Sequence, residues 1–279
     1  MNDAREEAIR RAAAAIAAAE ALVVTAGAGM GVDSGLPDFR SDEGFWNAYP
    51  PYAQLGLSFV DLANPRWFEE DPHLAWGFYG HRLNLYRATE PHDGFARLRT
   101  WAASKPAGAF VFTSNVDGQF QRAGFAAETI VECHGTIDAW QCARHCGAGL
   151  FAAALESIAV DPATFRAADP LPRCPACGAL ARPNVLMFGD DAWEDARTGA
   201  QRRRFEEWLG GLAGRRLAIV ECGAGTAVPT VRRMSEVLAR AFEATLVRIN
   251  LRESSGPIGT ISIRAGAREA LEAIAAASG

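Results

Sequence analysis

Residues 21–40 read ALVVTAGAGMGVDSGLPDFR, and this stretch decides the fold. Its first five residues form an apolar, partly β-branched run, which is typical of a short buried strand. Glycines follow at 27, 29 and 31, where they allow a tight turn and a close backbone approach to a pyrophosphate. The turn departs from the standard dinucleotide fingerprint, because Val32 stands where the third glycine would fall. A plain strand-to-helix turn is therefore the alternative interpretation.

Similar apolar runs recur along the chain and predict further strands. They lie at residues 109–113, 129–131, 217–220 and 245–249. Helical patterns occur near 2–20, 92–104, 197–213, 229–243 and 266–277. Strands that alternate with helices predict an α/β fold, a Rossmann-like parallel sheet covered on both faces. Ligands of such sheets bind at the carboxyl ends of the strands.

Two stretches interrupt the alternation and predict insertions. Residues 45–90 are rich in aromatic side chains, and residues 138–182 contain close cysteine pairs and several prolines. We expect the two insertions to form one smaller module, helical and zinc-binding, over the carboxyl edge of the sheet. The Rossmann-like core then comprises about residues 1–44, 91–137 and 183–279, so that the whole chain 1–279 is a single catalytic domain.

The composition narrows the classes of partner and compartment. The chain has 279 residues and a net charge of -5, which argues against general nucleic-acid binding because phosphate neutralisation needs a basic surface. No run of 18 apolar residues occurs, and the alanine-rich N-terminus lacks the apolar core of a signal peptide. We expect a cytoplasmic protein that is neither exported nor membrane-bound. The sequence does not predict the oligomeric state.

Two further motifs follow predicted strands and carry polar side chains. Residues 113–118 read TSNVDG, and Asn115 and Asp117 there suit ribose or amide contacts at a strand end. An Asn-Asp turn that caps the next helix is the alternative. Residues 132–135 read ECHG, and an imidazole at His134 suits proton removal from a sugar hydroxyl. A purely structural histidine is the alternative there.

Four of the six cysteines form two close pairs, Cys142 with Cys146 and Cys174 with Cys177. Four thiolates in this arrangement suit a tetrahedral structural zinc, which anchors a module too small to be stable alone. The first pair has three intervening residues instead of two, so His145 is an alternative ligand to Cys146. The remaining cysteines, Cys133 and Cys222, adjoin apolar strands, and we expect them to be buried small hydrophobic residues.

The three turn motifs, in this order, resemble those of the sirtuins, a family of NAD-dependent protein deacylases, over nearly the whole chain. The resemblance implies NAD as co-substrate, an acyl-lysine protein or peptide as substrate, and release of nicotinamide with O-acyl-ADP-ribose. It implies that His134 is the general base and that Asn115 and Asp117 hold the nicotinamide end. The residues expected to contact NAD are Gly27, Ala28, Gly29, Asp33, Pro37, Asp38, Phe39, Arg40, Ser114, Asn115, Asp117, Gly223, Ala224, Gly225 and Asn250.

The resemblance extends to substrate binding. Residues 182–190, RPNVLMFGD, are similar to the sirtuin strand that pairs with the substrate, which implicates Val185, Phe188 and Gly189. Sirtuins that prefer succinyl- or malonyl-lysine bind the acyl carboxylate with a tyrosine and an arginine three residues apart. Tyr79 and Arg82 have this spacing, one helical turn apart, and a guanidinium matches a carboxylate well. The alternative is an amphipathic helix with Tyr79 in the core and Arg82 in water.

Three positions depart from the family pattern. Ser114 stands where most sirtuins have a glutamine that positions the ribose, and Gly31 and Gly225 replace serines. A Thr-Ser-Asn pattern like that of residues 113–115 occurs in sirtuin-like ADP-ribosyltransferases, so ADP-ribosyl transfer or NAD hydrolysis is an alternative activity. A non-catalytic module that senses NAD or ADP-ribose is a further alternative. Because His134 is retained, we favour the deacylase.

Overall fold

The computed structural model describes residues 2–37, 49–54 and 56–278. Nine strands occur in this part of the chain: β1 (Ala21–Ala26), β2 (Ala109–Thr113), β3 (Ile130–Glu132), β4 (Gly135–Cys142), β5 (Phe151–Ala152), β6 (Ala181–Val185), β7 (Leu217–Cys222), β8 (Thr245–Ile249) and β9 (Ile261–Ile263).

The helices of the same part of the chain are α1 (Asn2–Ala18), α2 (Gly29–Val32), α3 (Pro50–Gln54), α4 (Phe59–Leu62), α5 (Trp67–Glu70), α6 (Pro72–Ala88), α7 (Asp93–Ala103), α8 (Gln119–Arg122), α9 (Ala196–Gly210), α10 (Thr230–Ala241) and α11 (Ala267–Ala276). A single 3₁₀ turn, Ala127–Thr129, precedes β3.

Six strands form the larger sheet, in the order β3-β2-β1-β7-β8-β9, and every neighbouring pair is parallel. The carboxyl ends of β1, β2, β3 and β7 therefore meet at one edge. All six residues of β1 and all six of β7 are buried, as expected for central strands covered on both faces. The predicted Rossmann-like sheet is thus confirmed.

Helices pack on both faces of this sheet because alternate strand residues point to opposite sides. Leu22 and Val24 of β1 pack into a core with α1, α7 and α11, whereas Ala21 and Val23 pack into another core with α9 and α10. The four helices predicted near 92–104, 197–213, 229–243 and 266–277 correspond to α7, α9, α10 and α11.

A second, smaller module contains an antiparallel sheet in the order β5-β4-β6. Together with residues from α3 to α6 it forms a third hydrophobic core. The Trp76 indole N–H of α6 donates a hydrogen bond of 2.9 Å to the Ala181 carbonyl of β6, which joins the helices to the sheet. The approximate boundaries at 138 and 182 stay predictions; β4 begins at Gly135 and β6 ends at Val185.

None of the helices among the described residues is both long enough and apolar enough to cross a bilayer.

Candidate active site at the carboxyl edge of the sheet

The turns after β1 and β7 contact each other through their backbones. The Gly29 N–H donates to the Gly223 carbonyl at 3.0 Å, and the Gly27 N–H donates to the Cys222 carbonyl at 3.0 Å. A Cβ added to Gly29 would lie 2.7 Å from the Gly223 Cα, and one added to Gly223 would lie 2.3 Å from the Gly29 carbonyl carbon. Gly223 also has a φ of +62°. Only glycine satisfies both positions.

The turn after β2 is tied to the turn after β1 by side chains. The Asn115 amide Nδ2 donates to the Gly27 carbonyl at 3.0 Å, and the Thr113 hydroxyl donates to the Ala26 carbonyl at 3.1 Å. The Thr113 hydroxyl in turn accepts from the Asn115 N–H at 3.0 Å. Asn115 therefore holds the turn after β2 against the turn after β1.

Asp117 is a buried carboxyl, only 8% exposed, whose Oδ1 accepts from the Gln119 N–H at 3.0 Å. Burial raises its pKa to about 6, opposed by the Gln119 hydrogen bond; the charge of Glu132 raises the pKa further, and Arg82 lowers it. A carboxyl that titrates near neutrality in a cavity is typical of a functional site.

His134 follows β3 and is held by the smaller module through its backbone. The His134 carbonyl accepts from the Leu186 N–H at 2.9 Å. The next residue, Gly135, has a φ of +78°, and a Cβ there would lie 2.0 Å from the Asn184 carbonyl oxygen. The His134 turn thus lies directly against β6, which explains the glycine after the histidine.

The loop after β6 is fixed by a buried ion pair. The Arg182 guanidinium donates to both carboxylate oxygens of Asp190, at 2.7 and 2.9 Å, and the two side chains are 2% and 0% exposed. The loop between them carries Leu186 and Phe188, each 38% exposed. Gly189 has a φ of +67° in the same loop.

A cavity of about 380 Å³ lies between the large sheet and the smaller module. It brings together ten predicted residues: Ala28, Pro37, Tyr79, Arg82, Ser114, Asn115, Asp117, His134, Val185 and Phe188. Three separate turns and two modules contribute to it. The predicted residues Asp38, Phe39 and Arg40 lie outside the described residues.

The other predicted NAD residues do not line this cavity. The backbone contact between the turns after β1 and β7 contains Gly27, Gly29 and Gly223. Ala224 and Gly225 follow Gly223 in the turn after β7. The Asn250 Nδ2 donates to the Ala224 carbonyl at 2.9 Å. The Asp33 carboxylate accepts from the Arg268 N–H at 2.8 Å, at the start of α11, which is a structural contact. Their roles toward NAD stay predictions.

Tyr79 and Arg82 are both buried against the cavity. Tyr79 is fully buried, and its hydroxyl has no hydrogen-bond partner among the described residues. Arg82 is 6% exposed, and its Nε donates to the Tyr86 hydroxyl at 2.9 Å. Its guanidinium carbon lies 5.0 to 5.6 Å from the ring centres of Phe59, Phe78, Tyr79 and Tyr86. The alternative that Arg82 points into water is wrong.

Several lining residues were missed by the sequence reasoning. They are Leu36, Phe59, Val60, Ala63, Tyr86, Val116, Leu186, Met187, Ala227 and Val228. Tyr86 carried a usable signal, because it stands four residues after Arg82 and therefore on the same helix face. Leu36, Val116, Leu186 and Met187 lie inside the quoted motifs. The other apolar residues carried no signal, since nothing in a single sequence distinguishes a cavity wall from a core.

The four paired cysteines form one cluster beside β4 and β6. Their sulfur atoms all lie within 4.8 Å of one another, and both Cys142–Cys177 and Cys146–Cys174 are 3.6 Å apart. The cluster contains Cys146 and not His145. Cys133 and Cys222 are buried elsewhere, as predicted, and burial raises the pKa of the Cys133 thiol to about 12.

Comparison with known proteins agrees with this geometry. Residues 27–205 match the model of the Sir2 family. The chain belongs to this family, the sirtuins. It is 31% identical over 278 residues to an NAD-dependent protein deacylase of Aeropyrum pernix, with 98% of each chain covered. It is 30% identical over 261 residues to the NAD-dependent protein deacylase of Thermus thermophilus, covering 91% of this chain and 88% of that one.

Solved structures show the same fold. A Sir2 homologue in complex with NAD is 25% identical, with a TM-score of 0.70, covering 96% of this chain and 93% of that chain. A mutant Sir2 homologue in complex with ADP-ribose is 26% identical, also with a TM-score of 0.70, covering 96% and 95%. The family resemblance drawn from the turn motifs is therefore confirmed.

The raised pKa of Asp117 predicts a stability cost that depends on pH. The folded pKa is about 6, and the unfolded value is about 3.9. Below about pH 4 the carboxyl is protonated in both states and does not change the free energy of unfolding. Its burial lowers that free energy progressively from about pH 4 upward, and the full loss is reached above about pH 6. Asp117→Asn should increase the free energy of unfolding, and the increase should be larger at pH 8 than at pH 5 by about 1 kcal/mol.

The measurement is denaturant unfolding of both proteins at the two pH values. Asp191→Asn, at an exposed carboxyl, is the matched control and should give no such difference. An Asp117→Asn effect that is equal at both pH values would show that burial does not hold this carboxyl near neutrality.

Proposed function

We propose that this protein is an NAD-dependent lysine deacylase, which transfers the acyl group of an acyl-lysine to ADP-ribose and releases nicotinamide. The observation that carries the proposal is the meeting of Ala28, Asn115, Asp117 and His134 on one cavity, at the carboxyl edge of a parallel sheet. These residues come from three turns that are far apart in the sequence. The names of the curated relatives support the same activity.

The residues have distinct roles in this proposal. NAD supplies the ribose carbon that accepts the acyl oxygen, with nicotinamide as the leaving group. Asn115 and Asp117, both buried, hold the nicotinamide end and exclude water from it. His134 takes the proton of a ribose hydroxyl, so that this oxygen attacks the acyl carbon. A water molecule then adds to the same carbon, the bond from that carbon to the lysine nitrogen breaks, and the lysine amine leaves with a proton. The backbone contact between Gly29 and Gly223 fixes the turn after β1 against the turn after β7, and we propose that the phosphates bind at these glycine turns.

The acyl-lysine substrate is a protein or peptide that binds along β6. β6 is an edge strand of the smaller sheet, and an edge strand can pair with an extended peptide. Beyond it, Leu186 and Phe188 are partly exposed and line the cavity, so they offer apolar contacts to the lysine side chain.

ADP-ribosyl transfer or NAD hydrolysis is the second candidate activity. Ser114 favours it, because its buried hydroxyl lines the cavity and has no hydrogen-bond partner among the described residues. A hydroxyl in this position can hold a water molecule near the bound ribose. Nicotinamide release without an acyl-peptide would indicate this activity.

Replacement of His134 tests the proposed activity. Wild-type protein should release nicotinamide only when NAD and acyl-peptide are both present, and His134→Ala should lower deacylation by about 10²- to 10⁴-fold through loss of the base. The measurement is peptide deacylation and nicotinamide release by mass spectrometry. His145→Ala is the control, since His145 is exposed and outside the cavity. Undiminished deacylation by His134→Ala would refute the assignment of the base.

We further propose that the preferred acyl group is acidic, succinyl or malonyl. Tyr79 and Arg82 are buried side by side on α6, and the Tyr79 hydroxyl is available to donate a hydrogen bond. Tyr86 accepts from the Arg82 Nε and thereby fixes the plane of the guanidinium. A planar, oriented guanidinium recognises a carboxylate through two parallel hydrogen bonds.

Arg82→Met should depress desuccinylation much more than deacetylation. A charge-assisted hydrogen bond contributes about 1.5–3 kcal/mol, so the selectivity between the two substrates should fall by about 10- to 100-fold. The measurement is kcat/KM on succinyl- and acetyl-peptides of one sequence. Arg87→Met, near the end of the same helix, is the matched control and should leave the ratio unchanged. An equal loss on both peptides would exclude the carboxylate contact.

We also propose that the four-cysteine cluster holds a structural zinc ion. Zn–S bonds of about 2.3 Å in a tetrahedron place the sulfurs about 3.8 Å apart. Two of the separations are 3.6 Å, close to this value, and all four sulfurs lie within 4.8 Å of one another. The ligands come from the end of β4 and from the turn before β6, so the ion would fasten the sheet that also holds the His134 backbone.

Metal analysis of the purified protein tests the zinc proposal. We expect about one zinc per chain, loss of that zinc in Cys177→Ser, and a lower melting temperature because metal binding contributes folding free energy. Cys222→Ser, at a buried cysteine outside the cluster, should retain the metal. Well-folded wild-type protein without zinc would contradict the proposal.

A further inference from the structure

Glu132 is the buried residue two positions before His134, and α9 contacts nearly all of its polar groups. Its N–H donates to the Gln201 Oε1 at 3.0 Å, and its carbonyl accepts from the Thr198 hydroxyl at 3.0 Å. Its carboxylate Oε2 accepts from the Arg197 guanidinium and from the Gln201 Nε2. These three residues lie in the first two turns of α9.

The position of β3 explains why the backbone needs these partners. β3 is the outermost strand of the six-stranded sheet, so only one of its edges is paired with another strand. The unpaired N–H and C=O groups of a buried edge cost free energy unless something satisfies them. Gln201 and Thr198 do so at Glu132, at the point where the strand ends and the Cys133–His134 turn begins.

The carboxylate of Glu132 serves a different purpose from its backbone. The side chain is 1% exposed, whereas that of its partner Arg197 is 30% exposed. Glu132 Oε1 and Arg197 Nη1 are both buried without a hydrogen-bond partner among the described residues. The ion pair is therefore only partly satisfied, and a partly satisfied buried pair is a poor stabiliser of the fold.

Glu132 stands close in the sheet to the turn that carries Asp117. In the register of β2 with β3 it is opposite Thr113, and Asp117 follows Thr113 by four residues. The charge of Glu132 raises the pKa of the Asp117 carboxyl. The other groups that act on Asp117 are the Gln119 N–H of α8 and Arg82 of α6. Arg197, on α9, is the cation that directly contacts Glu132.

We propose that Glu132 is a positioning residue of this active site, held by α9 so that its backbone orients the His134 turn and its buried charge sets the pH range of catalysis. The inference rests on the proposed function of His134 and Asp117. A negative charge beside the cavity keeps protons on neighbouring groups, so it moves their ionisation to higher pH. Arg197 moderates this effect by pairing with the carboxylate.

Glu132→Gln tests the electrostatic part of the proposal. Glutamine has the same shape and can accept the same hydrogen bonds through its Oε1, but it has no charge. The acidic limb of the pH profile of kcat/KM should move to lower pH by about half to one unit. A lower kcat with an unmoved limb would show that Glu132 is only structural and would overturn the proposal.

Thr198→Val tests the positioning part, because it removes the hydroxyl that holds the Glu132 carbonyl and changes no charge. We expect kcat to fall several-fold while the acidic limb stays in place. Arg203→Met, at an exposed arginine of the same helix, is the matched control and should change neither quantity. A Thr198→Val protein with wild-type kcat would contradict the positioning role.

A second readout separates failure of this proposal from failure of the proposed function. If wild-type protein does not deacylate any peptide, the proposed function fails, and the pH dependence of NAD affinity by calorimetry takes the place of kcat/KM. The midpoint of that dependence should again be lower in Glu132→Gln than in wild type. Identical midpoints would overturn the electrostatic role, whatever the reaction is.

Discussion

The backbone contact between Gly29 and Gly223 is the constraint on which the site depends. It joins the turns after β1 and β7, the two central strands of the sheet, at a separation that no Cβ would tolerate. The hydrogen bonds from Gly27 to Cys222 and from Gly29 to Gly223 fix the same contact. Because the turns lie so close, the positions of the loops that follow the two central strands are fixed relative to each other.

The rest of the site is built outward from this contact in two directions. Asn115 ties the turn after β2 to Gly27, and α9 holds the end of β3 at Glu132. On the other side, Gly135 and Leu186 fasten the His134 turn to β6 of the smaller module. The histidine therefore stands where the two modules meet, and its position depends on both. Because the four-cysteine cluster lies in the smaller module, it contributes to the position of His134 without contacting it.

The cavity contains groups that the fold would be more stable without. Asp117 is a buried carboxyl, Arg82 is a buried cation among aromatic rings, and the Tyr79 and Ser114 hydroxyls are buried without partners among the described residues. Burying such groups costs folding free energy, and a ligand would supply the hydrogen bonds that the two hydroxyls lack. Other buried polar atoms without a partner lie outside the cavity, so the support comes from the combination of the two hydroxyls with Asp117 and Arg82 on one cavity.

Much of the fold was predictable because apolar runs and glycine turns are local signals. The predicted strands at 21–25 and 109–113 agree with β1 and β2 to within one residue at each end. The four cysteines that are paired in the sequence are those that form the cluster. The site was predictable where a motif adjoined a strand, as for Asn115 and His134. Contacts between distant elements were not predictable, because no local pattern encodes them. The hydrogen bonds of Thr198 and Gln201 with Glu132 are one example, and the contact of Asp33 with α11 is another.

Asp190 closes the segment that is similar to the substrate-pairing strand, and nothing in the sequence indicated its role. Its carboxylate is paired with Arg182 and is 0% exposed, so the residue shapes the loop. Tyr86 was also missed, although it stands one helical turn after Arg82, and its hydroxyl accepts from the arginine Nε.

The central claim is that NAD is consumed by acyl transfer at this cavity, and product stoichiometry tests it most directly. Wild-type protein, NAD and a succinyl-lysine peptide should yield nicotinamide, free-lysine peptide and O-succinyl-ADP-ribose in a 1:1:1 ratio by quantitative mass spectrometry. Free succinate formed with no consumption of NAD, or ADP-ribose formed with the peptide unchanged, would contradict the account.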